Sequence, residues 1–132
     1  MRWLVDGMNV IGSRPDGWWK DREAAMTRLV DQLERWAATA ADEVTVVFEQ
    51  PLSAPIPPGA VEVAHAPRGG PDAADDEIVR RIQVDPEPGS FRVVTSDRRL
   101  ADRVRGVGAP VEPAGRFRDL LDAQAAPPAS SG

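Results

Sequence analysis

The chain opens on a short unbroken apolar run, Arg2-Trp-Leu-Val-Asp6, which ends in a carboxylate followed by Gly7. A run of this length, closed by a charge and a glycine, predicts a buried strand leading into a loop. Pro15-Asp16-Gly17 marks a turn. From Asp21 the period lengthens: Met26, Leu29, Val30, Leu33, Trp36 and Ala37 recur at helical spacing, which predicts an amphipathic helix to about Ala41. Val44–Phe48 predicts a second buried strand ending at Glu49, and Val61–Ala64 a short third one. Between them, residues 50–59 hold four prolines and a glycine and predict an irregular loop. After the break at Arg68-Gly-Gly-Pro71 the pattern predicts a helix from Asp72 to about Val84, then a strand at Phe91–Thr95. A helix at Arg98–Arg105, stopped by Gly106 and Gly108, a last strand at Ala109–Val111 and a last helix at Arg116–Ala123 complete the series. Residues 125–132, rich in Ala, Pro and Ser, read as a disordered tail, which leaves one domain over residues 1–124.

Strands that alternate with helices and are apolar throughout predict a parallel sheet covered on both faces, an α/β fold. In such sheets ligands bind beyond the carboxyl ends of the strands. Three of the predicted strands end in an acid: Asp6, Glu49 and Asp97.

The helix at 72–84 adds a fourth. Asp75 precedes Ile78, Val79 and Ile82 by three, four and seven residues, so it lies on the helix's apolar face. A carboxylate turned toward a core is costly unless a cation or hydrogen-bond donors meet it. Asp76 and Glu77 stand four residues before Arg80 and Arg81, where exposed ion pairs are expected. Asp72 reads as the N-cap of its helix, and Asp97 or Ser96 as the cap of the next, whereas Asp6 has no capping role to explain it. Acids crowded at one crevice repel, and a divalent cation resolves that repulsion. An all-oxygen donor set selects Mg²⁺ or Mn²⁺ over zinc. Such sites suit phosphodiester hydrolysis by water, which leaves a 5′-phosphate and a 3′-hydroxyl. Asn9 would ligate or hold a phosphate, and Ser96 would hydrogen-bond a bound water or phosphate.

Composition narrows the alternatives. The 132 residues are 42% hydrophobic and contain no cysteine and one histidine, His65, which removes disulfides, thiolate sites and imidazole cages. No apolar run is long enough to span a membrane, and Asp6 interrupts any N-terminal signal core, so a cytoplasmic location is expected. Net charge is −5, yet residues 98–118 carry six arginines against two acids. Arg98 and Arg99, with Arg68, are the cations nearest the acids in sequence and are candidate phosphate contacts. The only lysine, Lys20, is misplaced for a phospho-acceptor domain, Met8 replaces the second aspartate of a haloacid-dehalogenase phosphatase, and there is no P-loop or serine elbow.

Four segments in order, Val5-Asp-Gly-Met-Asn-Val-Ile-Gly12, Val46-Val-Phe-Glu49, Ala74-Asp-Asp-Glu-Ile78 and Val93-Val-Thr-Ser-Asp97, resemble the NYN domain. The resemblance is closest to the YacP-like branch of the PIN-like nuclease superfamily. It implies a Rossmann-like three-layer fold with a central, mainly parallel sheet of four or five strands. It also implies a metal-dependent ribonuclease cutting inside RNA, with Asp6, Asp75 and Asp97 as metal ligands and Asn9 in the opening motif. Glu49 departs from the aspartate usual in that branch. Some relatives carry a long basic extension, whereas this chain stops soon after its last predicted helix. An mRNA or rRNA substrate, a link to the ribosome and a homodimer are left open. The competing reading is an RNA-binding or protein-interaction module that keeps the fold without the chemistry. Trp18 and Trp19 are candidates for packing rather than for binding.

Overall fold

The computed structural model describes residues 1–125 apart from positions 41, 55, 58, 68 and 71. Arg68 and most of the expected tail, residues 126–132, therefore lie outside the described residues.

Five parallel strands form one sheet in the order β3-β2-β1-β4-β5: β1 (Arg2–Asp6), β2 (Glu43–Phe48), β3 (Glu62–His65), β4 (Phe91–Val94) and β5 (Val111–Glu112). The helices are α1 (Gly7–Gly12), α2 (Arg22–Ala40), α3 (Ala73–Gln83), α4 (Arg98–Gly106) and α5 (Ala114–Ala125). The chain first builds β1, β2 and β3 in one direction, then returns to β4 on the other side of β1. That reversal puts the topological switch point at the carboxyl end of β1, at Asp6.

The alternation of side chains along β1 assigns the two faces. Val5 joins Val46 and Phe48 of β2, Leu29 and Leu33 of α2, and Phe117 and Leu121 of α5 in one core. Leu4 points the other way and joins Val93, Ile78, Val79 and Ile82 of α3, and Leu100 and Val104 of α4. The same two-residue period directs Asp6 toward the α3/α4 side, where the other acids stand.

Two local features differ from the sequence reading. The residues after Asp6 are helical: α1 begins at Gly7 with no intervening loop. Gly7 permits this because a Cβ there would collide with the Phe48 ring and lie 3.0 Å from a Val46 methyl. In α3, Glu77 is 5% exposed, and its carboxylate accepts hydrogen bonds from Arg80 (2.9 Å) and Arg81 (2.8 Å). Arg81 continues to Glu62 at 3.0 Å, so Glu77 belongs to a charge network tying α3 to β3. Asp76 pairs with Arg103 of α4 at 2.9 Å instead of Arg80. No helix among the described residues is long and apolar enough to cross a membrane.

Candidate functional site

Asp6 ends the central strand, 7% exposed, and accepts a hydrogen bond of 2.9 Å from the hydroxyl of Thr95. Thr95 follows β4, is 1% exposed, and continues the alternation that sends Val93 to the α3/α4 side. Its Oγ1 also accepts from the Asp97 backbone N–H at 3.1 Å. One buried hydroxyl thus links the carboxylate of β1 to the segment that carries Asp97. Sequence reasoning missed Thr95. Its signal was a hydroxyl at the end of an otherwise apolar strand, in step with the residues facing α3 and α4.

Asp97 has the capping role foreseen for it. Its Oδ1 accepts from Arg99 N (2.9 Å) and Leu100 N (3.1 Å), closing the first turn of α4. Asp72 occupies the cap position of α3 without a side-chain cap bond, and lies 4.0 Å from Arg99. Asn9, on the first helical turn after Asp6, accepts from Ser96 N at 2.8 Å. The Ser96 hydroxyl accepts from Ala114 N at 2.9 Å, at the start of α5. Asn9 Oδ1 and Ser96 Oγ thus stitch α1, the end of β4 and α5 together. The amide oxygen that the sequence offers as a ligand at Asn9 is therefore engaged by a backbone N–H within the fold.

The electrostatics show which acids share a neighbourhood. Burial is the main force pushing the Asp6 carboxyl up to about 7; the Thr95 hydrogen bond opposes it, and the negative charges of Asp75 and Asp97 add to it. Asp75 is half-buried on the first turn of α3 and is pushed up to about 6, first by burial and then by Asp97 and Asp72, with Arg103 opposing. Asp6, Asp75 and Asp97 therefore lie within electrostatic reach of one another, where the carboxyl end of β1 meets the starts of α3 and α4. Among the described residues no three acidic or histidine side chains close into a ready metal cage. Asp97 explains part of this, since its Oδ1 is turned to α4.

The remaining candidates separate. Glu49 borders a small hollow with Met8 and Arg22, on the side of β2 away from α3. Arg99 leans to Asp72. Arg98 is exposed and borders a different hollow with Ser96. His65 engages the Ala66 carbonyl through Nδ1 at 3.0 Å on an edge strand. Trp18 packs against the α1/α2 core, while Trp19 is 60% exposed.

Comparison with known proteins agrees with this architecture. Two crystal structures of Rae1 (YacP) from Bacillus subtilis, one of them a W164L mutant, superpose with TM-scores of 0.77 and 0.76 at 23% identity. They cover 95% of this chain and 75% and 76% of theirs, respectively. UPF0178 proteins from three strains of Xanthomonas oryzae pv. oryzae are 40% identical over 96 residues. The match takes in 73% of this chain but spans only about half the length of those relatives, 55%. The YacP-like NYN domain matches residues 3–129, nearly the whole sequence. With its five-stranded parallel sheet and a family match over nearly its whole length, the chain belongs to the YacP-like NYN domain family.

Proposed function

We propose that this protein is an endoribonuclease that hydrolyses RNA phosphodiester bonds with the help of Mg²⁺ or Mn²⁺ held by Asp6, Asp75 and Asp97. The observation that carries the reading is Asp6 itself: a carboxylate 7% exposed, at the switch point, in the field of two further aspartates. An ionised acid is costly there without a cation. The donor set fits a hard dication, which takes one or two carboxylates and completes its shell with water and substrate phosphate, so a closed protein cage is not required. When bound, the ion would supply Lewis-acid polarisation of the phosphate and acidify a water.

The chain's own residues do the positioning. Thr95 holds one oxygen of Asp6 and fixes the backbone at Asp97 through the same hydroxyl, while the Asn9 backbone also favours the Asp6 carboxylate at the start of α1. Asn9 locks the Ser96 backbone beside them. Arg98, Arg99 and Arg68 are the proposed contacts to the flanking phosphates, where guanidinium forks match phosphate geometry. Membership of a nuclease-type family supports RNA as the substrate, and a cytoplasmic location agrees with the cysteine-free composition.

The test is cleavage of an internally labelled RNA in Mn²⁺ by wild type, Asp6→Asn and Asp97→Asn, with Mn²⁺ binding followed by calorimetry. Expected are loss of cleavage by roughly 100-fold or more in each variant and weakened Mn²⁺ binding. Parental cleavage by Asp6→Asn would defeat the assignment. The role of Asp97 as a helix cap favours one second reading, an RNA-binding module without chemistry. RNA binding with no Mn²⁺ binding by the wild type would establish it.

A further inference from the structure

Beside the acids, the hollow that Arg98 borders, with a volume of about 650 Å³, runs along the outer side of α4 toward β5. Its inner end is Ser96, adjacent to Asp97, and its apolar wall comes from Val111 and Pro113. Arg98, Asp102 and Arg105 stand at four- and seven-residue spacing and so share one face of α4, all bordering this hollow. The two arginines lie about 10 Å apart along the helix axis. Arg98 forms no ion pair among the described residues, and Arg105 has only a loose, solvent-exposed contact with Asp102 at 3.8 Å. On the α3 side, Arg99 has an equally loose, solvent-exposed contact with Asp72 at 4.0 Å, while Arg103 is paired with Asp76 at 2.9 Å. The arginines of α4 thus divide by face: Arg99 and Arg103 lie toward α3, while Arg98 and Arg105 border the hollow.

We propose that the α4/β5 hollow is the track for single-stranded RNA leaving the acidic crevice, with Arg98 and Arg105 holding successive stretches of its phosphate backbone. The proposal rests on the nuclease reading above and adds to it a path and a strand state. Two arginines about two turns apart on one rim suit the extended phosphate backbone of an unpaired strand, and their guanidinium planes can also carry its bases. Asp102, set between the two arginines, weakens the attraction. That placement makes it a moderator of affinity.

The experiment is fluorescence anisotropy of a labelled short oligouridylate with the full chain in Ca²⁺ at several salt concentrations, with cleavage in Mn²⁺ read in parallel on gels. R98Q/R105Q should weaken binding about 10-fold and reduce the slope of log affinity against log salt by about 1.4, as two lost phosphate contacts require. R28Q/R35Q, an equal charge change on the outer face of α2, should leave both unchanged. D102N should tighten binding two- to three-fold. The track is overturned if R98Q/R105Q binds like wild type while wild type still cleaves, if R28Q/R35Q weakens binding as much, or if blunt duplex RNA binds as tightly as the single strand. A wild type that neither binds nor cleaves overturns the nuclease reading, and the track with it.

Discussion

Asp6 is the residue whose charge state the fold controls most strongly. Its carboxyl ionises near 3.8 in the unfolded chain and near 7 in the native one. Between those values the unfolded state has lost its proton and the native state has kept it, so this residue makes stability fall as pH rises from about 4 to about 7. Asp75, pushed up to about 6, acts in the same direction. In EDTA, thermal unfolding should therefore occur at a lower temperature at about pH 8 than at about pH 5. Asp6→Asn should flatten that dependence and stabilise the metal-free protein at about pH 8 by up to roughly 4 kcal/mol, as urea melts would measure. Adding Mn²⁺ should restore wild-type stability at that pH and do little for the variant. Thr95→Val tests the other half of the contact. It leaves the buried Asp6 oxygen and the Asp97 N–H without their partner, at about 1–3 kcal/mol, and a larger pH dependence should appear in the same melts. Asp6 and Asp75 were legible as candidates because each breaks a local rule, one at a strand end and one on an apolar helix face. Thr95 breaks none: a threonine in a strand is ordinary, and its partner lies 89 positions away in the chain.

Among the elements, the long helix and the strands were readable because their apolar positions repeat with one period and end at Gly, Pro or charge. The errors fall where tertiary contact overrides local signal. Gly7-Met-Asn-Val reads as loop because glycine is a poor helix former, yet Gly7 is what lets α1 start flush against Phe48 and Val46. Gly7→Ala should cost about 1–3 kcal/mol through overpacking, although alanine has the better helix propensity. Equilibrium urea denaturation would read the loss, and displacement of Asn9 from Ser96 should lower cleavage in the refolded variant as well. Glu77 was misread for a related reason. Its spacing to Arg80 and Arg81 fits a surface pair, and both pairs form, but the Glu77 carboxylate itself is buried and Arg81 extends the network to Glu62 of β3.

Across the whole molecule, the α1/α2/α5 layer is tied together by aromatic rings. Trp3, Trp36 and Phe117 meet with centroids 5.1–5.4 Å apart, joining the central strand to the second and last helices. Phe117 is fully buried, so Phe117→Ala should cost about 3–5 kcal/mol in urea melts. On the opposite face of the sheet, Arg2 makes a two-pronged contact with Asp85 (2.7 and 2.9 Å) and stacks on Phe91. The Arg2 hydrogen bonds hold the Asp85 carboxyl down to about 2, so that clasp supports the fold above about pH 4 and is lost as pH falls toward 2. The fold class and strand series followed from alternation alone. The strand order did not, because nothing in a one-dimensional pattern says that β4 returns beside β1.

The junction of Asp6 with Gly7 has no slack: a strand residue is followed at once by a helical one. One extra residue inserted there would turn everything downstream on α1 by about 100°, a single helical step. Asn9 would swing away from the Ser96 amide and Val10 would leave the core, while Asp6 itself stayed in the sheet. The joint therefore behaves as a rigid gauge block: it transmits the sheet's own precision to α1 and admits no change of length.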